Sequence, residues 1–134
     1  MAGENVEVVR RVVDDWNAGR RTVDDAVFHP KVEFLPLRAA TEGGYYGLAG
    51  VEAFVADTLE VFDGFELRYE LEDLGAQILA WGQIHVRARG SGIETDIESG
   101  GLFTFAGGRI VRWEDFGSRD RALAATRGCQ RSTK

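Results

Sequence analysis

This chain is poor in cysteine, histidine and positive charge, and it has no long apolar run. Its 134 residues include one Cys and two His. A lone cysteine, Cys129, excludes an internal disulfide. It stands near the C-terminus without a His beside it, which disfavours a nucleophilic role. His29, His85 and Cys129 are too widely spaced for a metal-ligand pattern, so no metal is expected. Gly43-Gly44 and Gly47 follow neither the P-loop nor the dinucleotide pattern, and no cofactor is expected. No apolar stretch approaches the roughly 20 residues of a membrane span. The opening Met-Ala-Gly-Glu-Asn lacks the basic-then-apolar order of a signal peptide, and a cytoplasmic location is expected. With 16 Lys and Arg against 22 Asp and Glu, the net charge is -6, which disfavours nucleic-acid binding. Arg87-Ala88-Arg89 is a local exception, explained by pairing with Glu94, Asp96 and Glu98 on the next strand.

What is present reads as one globular domain. Hydrophobic residues make up 44% and charged residues 28%, and the length suits a single core. The domain is expected over 1–134, with its core at about 5–127 and a tail at 128–134. The 17 glycines fit a sheet with several turns and bends. Residues 5–18 predict a helix, capped by Asn5 and closed by Gly19, with Val9, Val12, Val13 and Trp16 on one face. Thr22 caps a short second helix that His29-Pro30 ends. Val32 to Leu37 predicts a first strand, and Thr41 to Tyr46 a loop or brief strand. Leu48 to Phe62 predicts a long helix with Val51, Phe54, Val55, Thr58 and Phe62 on one side. Four strands follow: Phe65 to Glu72, Gln77 to Arg89, Ile93 to Phe105 and Arg109 to Phe116. Ser118 then caps a short helix through Ala125. The helices-then-strands order indicates an α+β fold with helices covering one sheet face.

The last strand holds the most informative residue. Gly107-Gly108 reads as a hairpin turn. Beyond it Val111, Trp113 and Asp115 alternate onto one face, and Arg112 and Glu114 onto the other. A carboxylate sharing a face with Trp and Val is costly unless it is bonded. Asp115 is therefore either a structural anchor accepting backbone N–H bonds near Ser118, or a group lining a pocket where it does chemistry.

Several segments resemble the SnoaL-like branch of the nuclear-transport-factor-two-like superfamily. They are Trp16-Asn17-Ala18-Gly19, Val32-Glu33-Phe34-Leu35-Pro36, Tyr46-Gly47, Gly90-Ser91-Gly92 and Gly108-Arg109-Ile110-Val111-Arg112-Trp113-Glu114-Asp115. The resemblance implies a curved, mostly antiparallel sheet forming a cone around an interior pocket, with three helices in the N-terminal half and a short C-terminal one. It implies a small hydrophobic metabolite as ligand and a homodimer formed through the sheet. The superfamily hosts several chemistries and many binding-only members, so the reaction must be argued from residues. The isomerase pattern places a base where Phe34-Leu35 stand, an oxyanion Tyr near Val12 and a protonated Asp at Gly101, and all three are missing. The cyclases' acid/base Asp matches Asp115, but their accompanying His falls at Gly101. The epoxide hydrolases' central Arg-x-Asp aligns with Gln83-Ile84-His85 and is replaced, while Trp113-Glu114-Asp115 resembles their last-strand portion.

Two candidates for acid/base work result. Asp115 would take or give a proton as general base. His85 would relay one at neutral pH. Parity sets His85 with Gln83, Arg87 and Arg89, hence outward, unless a bulge turns it inward. On the outer face it would join Trp81 in a dimer interface. Trp16, Phe34, Tyr46, Phe54, Tyr69, Phe103 and Trp113 are expected to wall the pocket and contact substrate. Tyr45 or Tyr46 could donate to a substrate carbonyl, although packing explains either. Trp81 and Ile110 would form a sticky outer patch if the domain binds protein partners.

Overall fold

The computed structural model describes residues 2–21, 23–36 and 43–132, with side chains at 3–21, 23–36 and 43–126. Along the chain run α1 (Ala2–Asn17), β1 (Phe28–Leu35), β2 (Tyr45–Tyr46), α2 (Gly47–Val61), β3 (Phe62–Asp73), β4 (Gln77–Ala88), β5 (Glu94–Ala106), β6 (Arg109–Asp115) and α3 (Arg119–Ser132). The described strands form one curved, unclosed sheet in the order β2-β1-β6-β5-β4-β3. Every neighbouring pair is antiparallel except β1 with β6. The α+β cone expected from the sequence is therefore the observed architecture.

The hydrophobic periods decide which face is covered. Val9, Val12, Val13 and Trp16 recur at helical spacing, and α1 lays this stripe on the sheet. Val51 and Val55 do the same for α2. Against them the sheet presents Phe65, Leu67, Ile78, Ala80, Val86, Phe103 and Phe105. Each large side chain so buried stabilises the fold by roughly 1.5–3 kcal/mol. A smaller cluster of Leu79, Leu102 and Ala122 lies on the opposite face, where α3 covers one end of β4 and β5.

Local chemistry corrects several boundaries. Asn5 is not a cap: α1 begins at Ala2, and the Asn5 amide donates to the Gly75 carbonyl at 3.0 Å, tying the helix to the β3–β4 turn. At the other end Asn17 both donates to and accepts from the Leu67 backbone, at 2.8 Å each, and so occupies part of the free edge of β3. In place of the short second helix, residues 25–27 form a turn. The Asp24 carboxylate accepts the Ala26 N–H there at 2.8 Å, an Asx turn. The expected caps and ends at Thr22, Leu37 and Thr41 lie outside the described residues, as does the Cys129 side chain.

His29-Pro30 sits inside β1 rather than ending a helix. Phe28 is buried opposite Ile110, the register shifts before Glu33, and β2 pairs only from Glu33, so Pro30 withholds no bond from β2. Phe62 opens β3 instead of closing α2, because its backbone is already extended and it pairs with Ala88. Ser118 does cap α3, accepting the Arg121 N–H at 3.2 Å, but the helix runs past Ala125 to Ser132.

Gly107 and Gly108 turn the β5–β6 hairpin with φ of 61° and 81°, a pair of positive values that matches the right-handed strand twist. The strict alternation expected after them fails once. Phe105 pairs with Ile110 and Thr104 with Arg112, leaving Val111 as a bulged extra residue. Ile110 is thereby fully buried, and it cannot belong to an outer patch. The bulge precedes Trp113, so Trp113 and Asp115 keep their common inward face.

Candidate functional site

Between the helices and the inner sheet face lies a cavity of about 340 Å³. Its walls alternate off the strands as the pleat requires: Phe65, Leu67 and Tyr69 from β3, Ile84 and Val86 from β4, Ile97 from β5, Trp113 and Asp115 from β6. Trp16 comes from α1, and Phe54 and Thr58 from α2. Phe34 and Pro36 close the β1 end, while Phe62 and Glu98 complete the lining. The aromatic floor is held by ring contacts. Phe34 stacks on Phe54 with centroids 4.1 Å apart, and Trp113 meets Phe34 at 4.7 Å and Trp16 at 5.3 Å.

Three polar side chains meet on this apolar wall. The Asp115 Oδ1 accepts the Gly117 N–H at 2.8 Å and the Gly100 N–H at 3.4 Å. Its Oδ2 accepts from the Ser99 hydroxyl at 3.5 Å. Ser99 is 2% exposed and also bonds the Tyr69 hydroxyl at 2.9 Å, where either oxygen can be the donor. Gly82 makes this reach possible. Tyr69 pairs with Gly82 and Gly82 with Ser99, so the phenol crosses a strand at a residue with no side chain. Gly82 has a φ of 151°, and a Cβ there would lie 2.0 Å from the Arg68 carbonyl oxygen.

Electrostatics follow the burial. Desolvation pushes the Asp115 carboxyl above the ordinary carboxylate range, and the bonds from Gly117, Gly100 and Ser99 partly offset that. Burial likewise raises the Tyr69 hydroxyl, which the bond to Ser99 lowers and the nearby Asp115 charge raises again. Tyr69 is therefore a neutral phenol at physiological pH. Asp115 is a carboxylate whose proton affinity is increased, as a general base requires. Both sequence readings of Asp115 describe its geometry: one oxygen anchors the turn after β6, and the side chain also lines the cavity.

The other candidates divide. Trp16, Phe34, Phe54, Tyr69 and Trp113 line the cavity. Phe103 does not: it is fully buried beneath Trp113, with ring centroids 4.4 Å apart, and supports that wall. Tyr46 is 61% exposed and outside the cavity, because it sits in the short strand β2 ahead of α2. Tyr45 bonds Asp57 at 2.9 Å and packs edge-on to Phe54. His85 lies on the opposite sheet face from Ile84 and Val86. Its Nδ1 meets Asp96 at 2.6 Å and its Nε2 meets Glu94 at 2.7 Å. No bulge interrupts β4 at His85, so parity holds and keeps it out of the cavity. Glu94, then Asp96, raise its pKa. Trp81 is half-buried under the Arg119 guanidinium, 4.9 Å from its ring, and packs on the α3 cluster rather than forming an open patch. Ser99 is the polar residue the sequence reading passed over. The signal was present, since it shares parity with Ile97, Gly101 and Phe103.

Among the described residues no cluster of His, Cys, Asp and Glu has the arrangement to hold a metal, and no helix is long and apolar enough to cross a membrane. A second groove of about 420 Å³ runs between α1 and β3, lined by Arg10, Asp14 and Glu70 with Val13, Tyr69 and Leu71. Its charges are of both signs, and Arg10 already pairs with Glu7 at 2.9 Å.

A helix-backed cone with an aromatic interior and a partly buried carboxylate defines a class of pocketed domains, and comparison narrows it. The SnoaL-like domain family matches residues 9–113, so the chain belongs to the SnoaL-like family. The match ends before Asp115. Among solved structures, a candidate SnoaL-like polyketide cyclase from Jannaschia sp. CCS1 superposes with TM-score 0.74 at 24% identity, covering 94% of this chain and 90% of that one. An NTF2-like protein of unknown function from Burkholderia pseudomallei K96243 gives 0.74 at 20% identity, with 90% and 95% covered. TerC, crystallised with polyporic acid, gives 0.72 at 20% identity, with 93% and 96% covered. At these identities the likeness is one of fold. No curated protein matches the chain significantly.

Proposed function

We propose that this protein binds an apolar, carbonyl-bearing metabolite inside the cone and moves a proton with Asp115, in a cyclisation, isomerisation or dehydration. The observation that carries this reading is a partly buried carboxylate on a mostly aromatic and aliphatic cavity wall, with its proton affinity raised by burial, whereas the other lining carboxylate, Glu98, is exposed. The cavity size suits a small or medium ligand. Neighbours of the same fold, a candidate polyketide cyclase and TerC crystallised with polyporic acid, support a small-molecule ligand. The proton transfer asks nothing of His85, which serves the outer face instead.

The decisive test is Asp115→Asn against a panel of polyketide-like and cyclic enone substrates. Asn keeps an oxygen for the Gly117 N–H and removes the base. Loss of about 10²–10⁴ in turnover with intact folding supports the reading. Undiminished turnover overturns it.

A second reading, ligand binding without catalysis, is favoured by one observation. Asp115 already accepts three hydrogen bonds, as a structural anchor would. It predicts saturable binding with no product, and binding by Asp115→Asn equal to wild type. In either reading a homodimer would use the outer sheet face, which carries charges of both signs. Sedimentation across concentrations tests that.

A further inference from the structure

Neither oxygen of Asp115 is free. Oδ1 takes the backbone N–H of Gly117, beyond the end of β6, and that of Gly100 on β5, and Oδ2 faces Ser99. Ser99 is itself buried, absent from the cavity lining, and held between Asp115 and the Tyr69 hydroxyl. The phenol is the member of this chain that lines the cavity and carries a hydroxyl. From this geometry we infer that Tyr69 is the group that meets a substrate oxygen, and that Asp115 exchanges its proton with that oxygen through Ser99 and Tyr69. The inference rests on the reading that Asp115 is the acid/base group.

The step balances in three hops. A substrate enol or hydroxyl gives its proton to the Tyr69 oxygen, Tyr69 gives its own to Ser99, and Ser99 gives its own to Asp115 Oδ2. The ligand oxygen is left anionic and Asp115 neutral, and the reverse sequence returns the proton. With Asp115 ionised, both hydroxyl protons point toward it and Tyr69 offers a lone pair to the ligand. With Asp115 protonated, the chain reverses and Tyr69 donates. The preferred substrate is thus an enolisable ketone, a phenol or an alcohol. A ligand without an oxygen at that position would gain nothing from Tyr69.

Few other titratable groups stand near. Tyr69 comes from β3 and Glu98 from β5. From β4 the cavity receives Ile84 and Val86, from α1 Trp16, and from α2 Phe54 and Thr58. At the start of α3, Arg119 is turned onto Glu72, 3.1 Å away, and the Trp81 ring. On β6 itself Glu114 pairs with Arg112 at 3.1 Å.

The test compares two probes, naphthalene and 2-naphthol, by calorimetry across pH, with the Asp115 carboxyl followed by carbon NMR. Wild type should favour naphthol by roughly fivefold, the worth of one hydrogen bond. A phenol donates better than it accepts, so this preference should be larger above the Asp115 titration than below it. Tyr69→Phe should abolish the preference while naphthalene affinity stays, which shows that the cavity is intact. Ser99→Ala should retain a preference but remove its pH step, although Asp115 still titrates. An undiminished preference in Tyr69→Phe overturns the inference. So does a pH step that persists in Ser99→Ala, in which case Asp115 meets the ligand directly and the acid/base reading stands alone. If neither probe binds wild type, the interior-pocket reading falls and this one with it.

Discussion

Strand β4 carries two different environments a residue apart. Ile84 and Val86 face the aromatic cavity, while His85 and Arg87 face outward to Asp96, Glu94 and Asp63. On the inner face polar groups are few, buried and satisfied by one another, so each proton position matters. On the outer face charges are many and partly hydrated, and each pair is worth little. The contrast explains why the inner Asp115 is the better candidate for chemistry than the outer His85, although histidine ordinarily titrates nearer neutrality. A group becomes useful to a reaction through its surroundings, not through the proton affinity it has in free solution.

The two faces should respond differently to substitution. The largest effect is expected for Asp115→Asn, with turnover down about 10²–10⁴ and the folded state retained. Asp115→Ala should in addition destabilise by about 1–3 kcal/mol, because it leaves the Gly117 N–H without its acceptor, and urea titration separates the two variants. Next comes Trp113→Ala, which opens the floor beneath Phe34 and Trp16 and should cost about 3–5 kcal/mol in thermal or urea unfolding. Trp81→Ala on the outer face should cost clearly less, since one side of that ring meets only a guanidinium. If Trp81→Ala proves equally severe, the ranking of the faces is wrong. Gly82→Ala should cost at least about 1–3 kcal/mol from backbone strain and should disturb Tyr69 first, visible as loss of its hydroxyl bond to Ser99 by NMR.

The smallest effect is expected at His85. Its pKa is raised in the folded state by Glu94 and Asp96, so its stabilising contribution is fully present below the unfolded value. That contribution disappears as pH rises through the folded value. His85→Gln should therefore lower the melting temperature at pH 5.5–6 and change nothing at pH 9, with ligand binding unaffected at either. A loss of ligand affinity in that variant would place His85 in the site after all.

Much of this is legible in the sequence alone. Alternation along Phe65–Glu72 and Gln77–Arg89 sorted those side chains by face, and Gly107-Gly108 marked the hairpin, because both signals are local. Asp115 stood out for the same reason. The errors fell where a distant partner intervened. Pro30 is tolerated in β1 because β2 is too short to reach it, and Asn5 prefers the Gly75 carbonyl to capping its own helix. Ile110 changed sides through a one-residue bulge that no alternation rule foresees. Residue type groups Tyr46 and Phe103 with the wall residues, but type does not tell a wall from its support or from an exposed ring.

By itself the sequence determined the two long helices, the four long strands, the covered face of the sheet and the inward parity of Asp115, since periodicity is set by backbone geometry within a few residues. Only the tertiary structure decided that the Tyr69 hydroxyl, Ser99 and Asp115 meet. They lie on three strands, and their meeting depends on register across β4 and on the missing side chain at Gly82. Register is a property of pairs of strands, so no single stretch of chain contains it.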